Sequence, residues 1–232
     1  MTEGPWGSPT ESADRAAEAR TPEPAFNTRP AQAWGVFLIV ALIGLTYLWQ
    51  LTAPDPETEF AAALSARSIA EGRWETLFTS MFMHGGVAHL VMNLSALLPF
   101  GLIVARRMGP AVGGQLRFLV FYLLAGLAGN GVWLLMGAGQ GGAVVGASGA
   151  IFGLWAAVLR MRRDGGPLYP LFSWEVARQM VGPLIANVLV TVAFGVMTAG
   201  SGVGGIAWQA HLGGFLFGLA TIGLFLPPRQ RV

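Results

Sequence analysis

The chain has no cysteine and no lysine, and charged residues make up only 11% of its 232 positions. Without cysteine there is no disulfide, no thiolate nucleophile and no cysteine-based zinc site. The scarcity of charge says more, because soluble domains carry roughly 25% charged residues. A chain that is 53% hydrophobic, with a mean hydropathy of +0.56, belongs in a lipid bilayer. An isoelectric point near 9.7 invites a nucleic-acid reading. However, the net charge is only +2 and the arginines form no patch, so no nucleic acid is expected as a partner. The 33 glycines, with no sustained heptads, exclude a coiled coil.

Long apolar runs are missing from residues 1–33, which carry five prolines, five acidic residues and three arginines. Such a stretch cannot bury enough surface to offset its ordering entropy, and it reads as a disordered tail. No apolar core follows a short basic start, so it is not a signal peptide, and its acidity argues against an organellar transit peptide. From Trp34 onward six apolar segments have bilayer-spanning length, about 20 residues at 1.5 Å rise each. They fall near 34–51, 87–106, 116–137, 143–161, 183–199 and 205–226. The expected fold is an all-α membrane protein, a six-transmembrane-helix bundle over 34–226 with a short tail at 227–232. The connection 52–86 contains Pro54, Asp55, Pro56 and Glu57, then an amphipathic stretch from Phe60 to Phe78. With Trp74 beside charged residues, it suits an interfacial loop between the first two helices. A second amphipathic piece, around 171–180, precedes the fifth helix.

Arginine placement sets the orientation. Arg15, Arg20 and Arg29 precede the first segment, Arg106, Arg107 and Arg117 join the second to the third, and Arg160, Arg162, Arg163 and Arg178 join the fourth to the fifth. Arg229 and Arg231 end the chain, and only Arg67 and Arg73 fall on the other side. By the positive-inside rule both termini are cytoplasmic, and a bacterial inner membrane is the expected location.

That orientation brings several polar residues to one shallow depth under the outer face. Ser148 lies near the start of the fourth segment, His211 about two turns into the sixth, and His84, His89 and Asn93 where the second begins. Polar side chains within lipid are costly and point to function. Small residues permit close helix approach: His211, Gly214 and Gly218 share a face at i, i+3 and i+7, and Gly149 and Gly153 flank the serine's face. Two such helices can bring the Ser148 hydroxyl within about 2.6–3.2 Å of a His211 ring nitrogen, the reach that general-base activation requires. No Asp or Glu lies inside any of the six segments. A Ser-His-Asp triad is therefore not expected, and the pair reads as a dyad whose imidazole is oriented by packing, with Phe152 as the ring it stacks on. His89 and Asn93, at i and i+4, share a face. With the Ser148 backbone N–H they can donate to the oxyanion that acyl transfer builds.

Taken singly, each of these residues has a blander reading. A serine in a Gly/Ala run usually bonds back to its own helix, and an asparagine commonly joins helices. Asn130, Asn187 and Gln209 read as structural or cavity-lining groups. The three histidines lack zinc spacing: His84 and His89 are five apart and on different faces, and there is no HExxH. Neither a metal nor any cofactor is expected.

Together, the runs His84-Gly85-Gly86-Val87-Ala88-His89-Leu90-Val91-Met92-Asn93, Gly146-Ala147-Ser148-Gly149 and Ala210-His211-Leu212-Gly213-Gly214 resemble the rhomboid intramembrane serine proteases over about 34–226. The resemblance implies a bundle of rhomboid type. It also implies hydrolysis of peptide bonds in or near transmembrane helices of membrane-protein substrates. In that likeness Ser148 is the nucleophile, His211 the general base, His89 and Asn93 oxyanion donors, and Gly146 lines the site. His84 braces the outer loop, the loop before the sixth helix acts as a lid, and the fifth helix gates the cavity. Two positions depart from the pattern: Glu75 follows Trp74 where many members have Trp-Arg, and Phe152 stands where some have tyrosine. The alternative from another class is a non-catalytic relative that binds or escorts membrane helices, which can lose the dyad without losing the fold. A transporter would show ionisable groups within spans or a repeat between halves, and neither is present.

Overall fold

The computed structural model describes residues 30–53, 55–59, 61–136, 142–197 and 207–227. The chain divides into two units, Met1–Pro30 and Ala31–Val232, and the second holds the helices and the polar cluster. Most of the expected tail 1–33 lies outside the described residues, as do 228–232 at the other end. Residues Pro30–Ala33 form a 3-10 turn.

Among the described residues of this unit are six longer helices: α1 (Trp34–Gln50), α2 (Val87–Met108), α3 (Val112–Met136), α4 (Ser148–Arg160), α5 (Val181–Met197) and α6 (Trp208–Phe225). Among the described residues α2, α3 and α6 are long and apolar enough to cross a membrane, while α1 and α4 are shorter apolar helices. The outward face of α1 is as apolar as its inward one. On α1, Val36, Ile39 and Ile43 are buried, yet Phe37, Leu38, Leu42, Leu45 and Leu48 are exposed. A helix that is hydrophobic all round needs an apolar solvent.

Such helices gain little from burying apolar surface against one another, so close packing and hydrogen bonds must hold them. The core joins Val36 and Ile39 of α1, Leu97 of α2, Phe118, Phe121 and Tyr122 of α3, Ile151 and Leu154 of α4, and Ile222 of α6. Glycine brings α4 and α6 together. A Cβ added at Gly214 would overlap the Gly149 carbonyl oxygen, and one at Gly218 would overlap that of Gly153. Buried amides tie the rest. Gln115 of α3 accepts from the Gly35 N–H at 3.1 Å and donates to the carbonyls of Ala105 and Gly109. Asn130 donates to Leu77 O at 2.7 Å and to Ser80 Oγ at 3.1 Å, fixing α3 to the α1–α2 connection.

That connection is built from short pieces: the helical turns Pro56–Glu59, Ala66–Ala70 and Thr76–Thr79 and the 3-10 turn Ser80–Phe82. Trp74 and Phe78 in it are exposed. Glu75 makes no cap for the helical turn that begins after it. Arg73, just before the tryptophan, donates to Ala61 O at 2.8 Å and pairs with Glu71. A two-residue strand β1 (Leu64–Ser65) pairs antiparallel with β2 (Ala143–Val144).

This pairing corrects the start of the fourth segment. The apolar run suggests helix from 143, but residues 143–144 are extended and α4 begins at Ser148. Gly142 and Gly146 explain the difference, because both take positive φ (+92° and +121°), which ends one conformation and starts another. The amphipathic piece near 171–180 contains the helix Trp174–Gln179, capped by the Ser173 hydroxyl.

Candidate active site

The turn at Gly146 delivers Ser148 as the first residue of α4, where helix geometry leaves the leading backbone N–H groups without intrahelical acceptors. The α4–α6 glycine contact lies one to two turns further in. It brings His211 of α6 beside the serine, with His211 Nε2 2.8 Å from Ser148 Oγ. The imidazole is 4% exposed. Phe152, one turn along α4, stacks on it with ring centroids 4.3 Å apart and planes 6° from parallel. A hydroxyl held this way can pass its proton to the ring as its oxygen attacks an electrophile.

Opposite the serine, α2 presents His89 and Asn93 into the same cavity, which has a volume of about 700 Å³. Asn93 is buried, and its Nδ2 finds no hydrogen-bond partner among the described residues. A buried donor left open in this way is costly, and here it faces the space beside Ser148. The Gly85 N–H donates to His89 Nδ1 at 3.4 Å, which places the ring proton on Nε2. That nitrogen points toward Gly146, where an added Cβ would sit 2.8 Å from it and 3.5 Å from Asn93 Nδ2. Glycine at 146 thus leaves room for the His89 ring, while Asn93 stands at ordinary contact distance.

His84 is fully buried and meets His89 edge to face, with centroids 5.1 Å apart. The expectation that these two rings face different ways is thus corrected. His84 precedes α2, so helical spacing does not apply to it. Its backbone is clamped by Gln50 at the end of α1: the His84 N–H donates to Gln50 Oε1 at 2.9 Å, and Gln50 Nε2 donates to His84 O at 3.0 Å. Of the three amides read as structural or lining, Asn130 lines the cavity and Gln209 is buried at the start of α6. Asn187 does something else. From α5, its Oδ1 lies 2.7 Å from His211 Nδ1. The imidazole is therefore oriented by a hydrogen bond as well as by packing. Neither Gln50 nor Asn187 carries a local motif, and only the polarity of Asn187 within an apolar helix sets it apart. The loop expected to act as a lid, 198–206, lies outside the described residues.

The Rhomboid domain profile matches residues 71–228, a span that contains Ser148, His211, Phe152, Asn187, His84, His89 and Asn93. The chain belongs to the rhomboid family. Among similar proteins, rhomboid protease GluP of Bacillus subtilis is 30% identical over 195 residues, 81% of this chain and 34% of GluP. This rhomboid thus spans about a third of GluP's length. The putative rhomboid protease YdcA of the same organism is 32% identical over 164 residues, 70% of this chain and 73% of its own. An uncharacterized protein of Mycobacterium tuberculosis is 26% identical over 223 residues, 91% of this chain and 84% of its own.

Proposed function

We propose that this rhomboid is an intramembrane serine endopeptidase that cleaves membrane-protein substrates in or near a transmembrane helix. The observation that carries this reading is the 2.8 Å approach of His211 Nε2 to Ser148 Oγ in a cavity lined by His89 and Asn93. In the reaction, Ser148 Oγ attacks the scissile carbonyl carbon while its proton passes to His211 Nε2. The oxyanion is met by Asn93 Nδ2–H, the His89 ring N–H and the Ser148 backbone N–H. His211 then returns the proton to the leaving amine, the C–N bond breaks, and an acyl-serine remains. Water, deprotonated by the same imidazole, hydrolyses that ester and restores the hydroxyl.

The proposed setting is a six-span bundle with both termini in the cytoplasm and the site near the outer face. At about 1.5 Å per residue, 13-residue α4 reaches about 20 Å against a hydrocarbon thickness of about 30 Å. With its basic end at the inner boundary, its first residue would be recessed below the outer one, beneath the cavity. A protease and a helix-binding escort differ at the dyad. Purified wild type is expected to label with a fluorophosphonate and to cleave a transmembrane substrate. Ser148→Ala and His211→Ala should do neither while remaining folded in detergent. Substrate cleavage by Ser148→Ala would remove Ser148 as the nucleophile, and a wild type that binds helices but neither labels nor cleaves would favour the escort.

A further inference from the structure

We infer that Asn187 is a positioning residue for His211: its side-chain oxygen accepts the Nδ1–H and holds the imidazole in the tautomer whose Nε2 receives the Ser148 proton. This rests on the protease reading above. A neutral imidazole carries one ring proton, and the nitrogen that bears it depends on the partner offered to the other. Ser148 must donate to Nε2, so the ring proton has to sit on Nδ1 and needs an acceptor. Among the described residues the acceptor within reach is Asn187 Oδ1, at 2.7 Å.

The placement of Asn187 on α5 fits this role. Ala186 and Val190 on the same side line the cavity, whereas Leu184, Ile185, Val188 and Leu189 are exposed on the outer side. An amide on such a helix is costly in lipid unless it is bonded, and this one is bonded to the ring at the centre of the site. The groups facing His211 are Ser148 and Phe152 from α4, Asn187 from α5 and, across the cavity, His89 from α2. No carboxylate is among them. As the imidazole gains its second proton, the Nδ1–H···O bond becomes charge-assisted and strengthens. Asn187 therefore contributes more in the transition state than in the resting enzyme, with no substrate contact of its own.

The test uses the full chain in detergent with two substitutions: Asn187→Leu, of the same branched shape but without an acceptor, and Asn187→Asp, which keeps one. The chain has three histidines, so ring-¹⁵N labelling gives few enough signals to assign the His211 tautomer. Wild type and Asn187→Asp should hold the proton on Nδ1, whereas Asn187→Leu should give a mixture. On a transmembrane substrate, Asn187→Leu should lose roughly 10²-fold in kcat with KM changed less than about threefold, because removing the orienter of a catalytic histidine acts on the chemical step. Asn187→Asp should stay within about tenfold of wild type.

A wild-type ring protonated on Nε2, meaning that the amide presents nitrogen, would overturn the inference, as would unchanged kcat in Asn187→Leu. If Asn187→Leu does not fold, the wild-type tautomer and the Asn187→Asp rate still decide. Ser148→Ala separates the two levels. Cleavage by that variant sinks Ser148 as the nucleophile and with it the serine-endopeptidase reading, whereas an inactive Ser148→Ala beside a fully active Asn187→Leu sinks only the role of Asn187.

Discussion

At the scale of single residues, the site depends on what is omitted as much as on what is present. Gly146 has φ +121°, and a Cβ there would crowd the His89 ring. Gly146→Ala should therefore both strain the turn and push the His89 ring away. Its kcat should fall toward that of Asn93→Ala, for which a loss of about 10²–10³ is expected when one oxyanion donor is removed. Steady-state kinetics of the two variants check this, and near-wild-type turnover by Asn93→Ala would remove that amide from the oxyanion hole. His84, in the loop before α2, offers a stability test. Burial, and secondarily the nearby His89, push its pKa down to about 4, while an unfolded histidine titrates near 6.5. The folded state thus keeps His84 neutral where the unfolded chain takes up a proton. Its contribution is intact above about 6.5 and is lost as pH falls from there toward 4. The thermal midpoint of wild type should drop over that window, and the drop should be smaller in His84→Gln. An equal drop in both would exclude His84 as its source. The residues proposed to carry the chemistry, Ser148, His211, His89 and Asn93, stand out in the sequence because they sit in dense local motifs, and the structure brings them to one cavity. Asn187 and Gln50 are not, because their meaning lies in a partner on another helix, and spacing within one helix does not reveal that partner.

At the scale of elements, the decisive contact is between α4 and α6. Their glycines remove the side chains that would otherwise set the interaxial distance, so the backbones meet and the dyad distance is set by that approach. Gly214→Leu drives a side chain into the Gly149 carbonyl, and overpacking of this kind commonly costs about 1–3 kcal/mol. The expected outcome is a lower thermal midpoint together with loss of fluorophosphonate labelling at Ser148, since the hydroxyl moves away from its base. Labelling at the wild-type rate would mean that the serine and histidine do not depend on this seam. The small-residue face that predicts the contact is readable in the sequence at His211, Gly214 and Gly218. The start of α4 is not readable. Residues 143–147 are apolar and continue the hydropathy of the helix, so the run suggests helix through a stretch that is in fact a strand and a turn. What breaks it there is the conformation of Gly142 and Gly146 and the pairing of β2 with β1, which lies nearly eighty residues earlier in the chain.

At the scale of the whole molecule, the arginines of α2 and α4 lie at the opposite end of these helices from the serine, and that bears on orientation in the membrane. The segments that carry Arg106, Arg107, Arg160, Arg162 and Arg163 lie at the ends of α2 and α4 opposite Ser148. Arg160 there is buried and donates to Tyr169 O at 3.1 Å and Leu219 O at 3.0 Å, so part of the basic end is built into the fold. If the basic end faces the cytoplasm, as the positive-inside rule requires, the cavity over Ser148 opens on the opposite side, and a substrate helix meets the dyad near its outer end. The absence of cysteine makes this easy to test, because a single introduced thiol has no competitor. Glu57→Cys, in the α1–α2 connection, should react with a membrane-impermeant maleimide in intact spheroplasts. Arg163→Cys, beyond α4, should react only after permeabilisation. The reverse pattern would put the dyad near the cytoplasmic face and would require substrates to be cut at their inner ends. Reaction of both thiols in intact spheroplasts would mean that α2, α3 and α4 do not cross the bilayer as a set.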